Sequence, residues 1–170
     1  MERRQDPTRT RRALAAPLLG LLAGLALLAA PRAAEAQRLS LNVTPASITF
    51  LDANPDLQPT IASTPATVRI EVEIRGGVLR PWRLTIVAND HLRAGASVID
   101  ASNVSWTSSR TNEGWLAGGT LAVAAPQTMA QGASTLLTVT NSDVTFRLQN
   151  RWTYNPGFYT TTATLTLSSP

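Results

Sequence analysis

The chain has 170 residues, with 15 basic residues against 11 acidic ones and a formal net charge of +4. All 15 basic residues are arginines, and there is no cysteine. Without cysteine the protein has neither disulfides nor lipid attached at a cysteine, so its folded part must be stabilised by core burial alone.

The first 36 residues have the three parts of a secretory signal peptide. A start with five arginines precedes an apolar run over residues 13–30, and Ala34 and Ala36 supply small residues around a cleavage point. We therefore predict a signal peptide at 1–36 and a single mature domain at 37–170, secreted, periplasmic or at the cell surface. A permanent N-terminal anchor is the alternative for the apolar run. Arg11-Arg12 leaves twin-arginine export open beside ordinary export.

Removing the leader changes the charge of the protein. Residues 37–170 contain nine arginines and eight acidic residues, a net charge of +1. A nearly neutral domain gives no reason to expect a nucleic-acid partner, and after leader removal we expect no membrane contact. The expected partners are copies of the same chain or another protein.

Alternation of apolar and polar residues predicts strands along the mature chain. The strongest case is 67–75, followed after Gly76-Gly77 by 82–89, which together predict a hairpin or a crossing between two sheets. Leu39, Leu41 and Val43 also alternate, and Pro45 interrupts them, as in a split edge strand.

Turn residues divide the rest of the chain. Three prolines predict a loop over Asp52–Ala66, and Asn141-Ser142-Asp143 predicts a turn between two short strands. The alternating run from Tyr159 to Leu167 predicts a terminal strand. With no sustained helical period, we predict an all-β domain of about eight strands in a two-sheet antiparallel sandwich. A small barrel is the alternative.

Both ends of the mature chain resemble secreted bacterial pilin-like and spore-coat-U-like domains. The residues that carry the resemblance are Leu41-Asn42-Val43-Thr44-Pro45-Ala46-Ser47-Ile48-Thr49-Phe50 and Pro156-Gly157-Phe158-Tyr159-Thr160. The resemblance implies an immunoglobulin-like fold and assembly by strand exchange. The donor would be Arg38–Val43, with Leu39, Leu41 and Val43 as exchange residues, and the acceptor edge would involve Tyr159–Leu167.

The sequence contains no recognisable catalytic motif. Glu71 and Glu73 lie two residues apart on one strand, but Arg69 and Arg75 bracket them, as on a charge-balanced surface. His91 is the only histidine, and no serine is placed as a nucleophile. No metal or cofactor site is predicted, since no group of ligands has suitable spacing.

These observations favour a non-enzymatic structural or adhesive surface protein, a pilus or coat-type subunit assembled by strand exchange. The alternative is a monomeric secreted module that binds carbohydrate or protein through exposed aromatic residues. Its candidate contacts are Trp115, Trp152 and Tyr154, which lie in turn-rich segments.

Overall fold

The computed structural model describes residues 37–169, which form an all-β domain with antiparallel sheets. The predicted signal peptide lies outside the described residues. The elements in chain order are β1 (Arg38–Thr44), β2 (Thr49–Phe50), β3 (Thr60–Thr64), β4 (Val68–Arg75), β5 (Pro81–Ala88), β6 (Leu92–Ala94), β7 (Ser97–Ile99), a 3-10 turn (Ala101–Asn103), β8 (Val104–Ser108), β9 (Gly118–Thr120), β10 (Gln127–Ala133), β11 (Leu137–Gln149) and β12 (Ala163–Ser168). These twelve strands exceed the predicted eight, because several are only two or three residues long. Between Gln37 and Ser169 no helix has the length and apolar character needed to cross a membrane.

Three sheets contain these strands. The largest has seven strands and is built around β11, which pairs with β4 along its first part and with β8 and β3 along its second. β1 pairs with the far edge of β4, and β2 with β3. A second sheet has the order β10-β5-β12, and β6 pairs with β7 in a small hairpin.

One core lies between the two larger sheets. The alternate residues Val68, Ile70, Val72 and Ile74 of β4 and Trp82, Leu84, Ile86 and Ala88 of β5 are buried in the same cluster. This arrangement is consistent with a β-sandwich. β4 and β5 belong to different sheets, so the chain crosses between sheets after Gly76-Gly77 and does not form a hairpin.

Two local predictions were wrong. The expected loop over Asp52–Ala66 contains β3, because its prolines fall outside the strand and Ile61 and Ser63 face the interior. The expected turn at Asn141-Ser142-Asp143 is the middle of β11. Ser142 is fully buried there, and its Oγ lies 2.6 Å from the Oγ of Ser108, so its hydroxyl has a partner inside the sheet.

A glycine in β9 allows close contact with a core tryptophan. A Cβ atom at Gly119 would lie 3.1 Å from the indole of Trp106, which is itself buried. Because interiors are close-packed, a side chain at this position must displace the ring.

We therefore expect Gly119→Val to lower the free energy of unfolding by about 1–3 kcal/mol, the usual cost of overpacking. Urea unfolding followed by tryptophan fluorescence measures the change. Thr120→Val is the matched control, because Thr120 is the exposed neighbour in the same strand. Equal stability of the two variants would contradict the packing argument.

Candidate functional site

The N-terminal strand is attached to the domain along one edge only. Seven residue pairs, from Arg38↔Arg75 to Thr44↔Arg69, join β1 to β4, and no strand of residues 37–169 pairs with its other edge. Directly opposite residues of antiparallel strands share a face. Leu41 and Val43 thus share the core side of the sheet with Val72 and Ile70 and pack against the core. Leu39, opposite Ile74, is 39% exposed.

The strand expected to supply the acceptor edge, β12, does not pair with β1 in the same chain. β12 pairs with β5 through residues 163–168, and no strand in the described part of the chain pairs with its other edge. Tyr159 precedes this strand and donates its hydroxyl to the Asn155 carbonyl at 2.8 Å. Within one chain, β1 therefore pairs with β4 and not with β12.

Trp115, expected at the surface, is buried with 2% of its area exposed. Its Nε1 donates to Thr140 Oγ1 at 2.8 Å, and that hydroxyl donates to Glu113 Oε2 at 3.1 Å. The expected exposure of Trp115 was wrong, because a hydrogen-bond partner 25 residues away holds the indole inside.

The other two candidate aromatics differ in exposure. Trp152 is 67% exposed, and its Nε1 donates to Asp56 Oδ1 at 3.0 Å. Tyr154 packs partly against the core, and desolvation by burial raises the pKa of its hydroxyl. With Trp115 inside, the three residues do not form a shared aromatic surface.

The paired carboxylates on β4 are engaged with arginines. Glu71 accepts a hydrogen bond from Arg69 Nε at 3.1 Å and one from Asn42 Nδ2 at 3.4 Å, and these bonds, the first above all, lower the pKa of its carboxyl. Glu73 is paired with Arg75. A lowered pKa keeps Glu71 ionised at neutral pH, whereas a general acid needs a raised one.

His91 has a local structural contact. Its Nδ1 accepts the backbone N–H of Ala101 at 3.2 Å, at the start of the 3-10 turn. Asp90 beside it accepts from Arg93 Nε at 2.7 Å and from the His91 backbone N–H, which lowers the pKa of the Asp90 carboxyl. No serine hydroxyl bonds to the His91 ring among residues 37–169.

A cleft of about 460 Å³ lies between β10 and the first residues of β11. Its lining includes Trp82, Glu113, Gln131, Thr138 and Thr140. Glu113 is the one carboxylate in this lining, and it is already paired with Arg110 Nη1 at 3.2 Å. The lining therefore does not supply the two carboxyl groups that would act as a general acid and a general base. Across the described range, no three potential ligands are grouped to hold a metal ion.

Sequence reasoning missed two groups of exposed apolar residues at opposite ends of β11. We name the first the tip, which consists of Val78, Leu79, Leu136 and Leu137, and the second the base, which consists of Leu51, Leu57 and Trp152. The sequence could have indicated both groups, because apolar residues in turns and loops are expected to be exposed. Val78 and Leu79 follow Gly76-Gly77, and Leu57 lies between the prolines of the 52–59 loop.

Comparison with known proteins adds no relative, since neither a family model nor a curated protein matches this chain.

The Trp115 contact generates a test of stability. Thr140→Val keeps the shape of the side chain but leaves the indole N–H buried without an acceptor, which should cost about 1–3 kcal/mol. The urea midpoint measures this loss. Thr145→Val is the control on the same strand, because Thr145 is only half-buried. An unchanged midpoint for Thr140→Val would mean that this hydrogen bond contributes nothing net.

Proposed function

We propose that the protein is an exported, non-enzymatic structural or adhesive surface subunit that assembles with its own copies by exchange of β1. The proposal includes an immunoglobulin-like arrangement of the two larger sheets. The observation that carries it is the attachment of β1, a terminal strand with one strand neighbour among the described residues.

The contacts of β1 are transferable between copies. If β1 leaves, β4 presents an unpaired edge with the register from Arg69 to Arg75, and the β1 of a neighbour has the same seven residues to fill it. Main-chain hydrogen bonds and the apolar faces of Leu41 and Val43 would then be recovered. Because the contacts are the same in both arrangements, protein concentration decides which one is populated.

The chain also offers a place for the strand to separate. Pro45 follows β1 directly, and the two-residue strand β2 begins only at Thr49. Proline has no N–H to give to a sheet, so pairing stops at this position. The segment 45–48 is then the connection that would join a donated strand to its own domain.

A pair of introduced cysteines tests the exchange, because the chain has no cysteine of its own. Ser40 and Glu73 lie directly opposite each other in β1 and β4. With exchange, Ser40→Cys combined with Glu73→Cys should oxidise into covalent multimers at high concentration, seen on a non-reducing gel. The pair Ser105→Cys and Thr120→Cys, between β8 and β9, is the control and should give monomers.

Only monomers from the Ser40 and Glu73 pair, with no free thiol remaining, would show that β1 stays in its own domain. Each single-cysteine variant measures the background of random crosslinks.

A further inference from the structure

The tip and the base lie at opposite ends of one strand. At the tip, the Gly76 N–H bonds to the Leu136 carbonyl, directly before β11 begins at Leu137. At the base, the Asn150 N–H bonds to the Pro59 carbonyl, directly after β11 ends. A strand of 13 residues at about 3.3 Å per residue separates them by roughly 40 Å.

The tip is basic as well as apolar. Leu79 is 79% exposed with φ of 59°, at the turn between β4 and β5. Arg75 and Arg80 stand on either side of this turn in the chain, Arg38 lies opposite Arg75, and all three are exposed. Arg75 is paired with Glu73, whereas Arg38 and Arg80 have no ion pair in the described part of the chain.

The base has the same apolar character with a net negative charge, because two exposed aspartates outnumber one exposed arginine, Arg151. Leu57 is 80% exposed. The indole Nε1 of Trp152 donates a hydrogen bond to Asp56 in the same loop and so holds the ring beside it. Asp52 and Asp56 are exposed and have no ion pair within residues 37–169. Arg151, beside Trp152 in sequence, is bonded to the Gln149 side-chain oxygen at 2.5 Å.

We infer that the tip of one copy docks on the base of the next copy. Leucine and valine side chains would meet leucine and tryptophan, and Arg38 and Arg80 would meet Asp52 and Asp56. The inference rests on the proposed function for the premise that copies assemble, but it uses surfaces other than β1.

The complementarity identifies a second copy as the occupant. An anionic membrane surface would account for arginines beside exposed leucines at the tip. It would leave the acidic apolar base without a partner, whereas a second copy satisfies both ends. Because two different surfaces meet, the contact is heterologous and continues from copy to copy, as an open chain or, where the rotation between copies closes, as a ring.

Charge reversal in the mature chain 37–170 tests the inference by sedimentation velocity over a range of concentrations. Arg80→Glu alone and Asp52→Arg alone should each weaken association about tenfold or more, because like charges then face each other. An equal mixture of the two variants should associate again, since each supplies the partner that the other needs. Arg147→Glu, an equal charge change on an exposed residue of β11, is the control.

A second variant tests the apolar part of the contact without endangering the fold. Leu79→Asn removes an exposed leucine, and asparagine tolerates the positive φ of this position better than leucine does. We expect association to weaken about tenfold, as for the loss of one buried leucine. Leu116→Asn is the control, because Leu116 is exposed outside both ends.

The outcomes separate this inference from the proposed function. Growth of the wild type beyond dimers, its loss in the single variants and its return in the mixture support end-to-end docking. Covalent multimers from the β1 cysteine pair together with unchanged association of the charge variants would overturn it and leave strand exchange standing. A wild type that stays monomeric, or that binds anionic vesicles through the tip as a monomer, would also overturn it.

Discussion

Strand β11 is paired along both of its edges, and this pairing joins segments that are far apart in the chain. β4 and β3 lie along one edge and β8 along the other, so residues 60–75 and 104–108 are held by one strand that begins at Leu137. No disulfide can take over this task, since the chain has no cysteine. Burial of apolar residues on the inner face of this sheet must therefore supply most of the free energy of folding.

The inner face of β11 changes in chemistry along its length. Its second half buries Val144, Phe146 and Leu148, whereas its first half buries Thr140 and Ser142. The two hydroxyls are bonded to the end of β8 and to the segment that follows it: Thr140 to Trp115 and Glu113, and Ser142 to Ser108 and Ser109. Buried hydroxyls stabilise a fold only when they have such partners. They thereby fix the position of residues 108–115 between the two sheets.

The sequence was informative where one strand carried a full period of alternation. β4 and β5 alternate over eight residues each, and the apolar residues of that alternation are the buried ones. It misled where polar residues are stabilised by distant partners, as Ser142 is by Ser108 and Trp115 by Thr140. Strand propensity depends on local sequence, whereas these partners meet only through the pairing and packing of distant strands. The same limit hid the tip, whose two segments are joined by hydrogen bonds between residues 76–80 and residues 134–136.

The proposed exchange of β1 and the proposed docking of tip on base would act in different directions. β1 lies along a side of the large sheet, so its exchange would link neighbours laterally, while the ends of β11 face along the strand. The connection 45–48 spans at most about 14 Å when extended, far less than the roughly 40 Å length of β11. A strand donated to an end-on neighbour would have to place Thr44 opposite Arg69, away from the tip of that neighbour, and this short connection does not extend that far. Exchange would therefore be restricted to copies that lie side by side. Reciprocal exchange closes on itself as a dimer, whereas docking of unlike ends closes only where the rotation between copies completes a ring. An extended surface assembly needs contacts of the open kind, which exchange of β1 from copy to copy would supply laterally and docking of tip on base would supply along the strand.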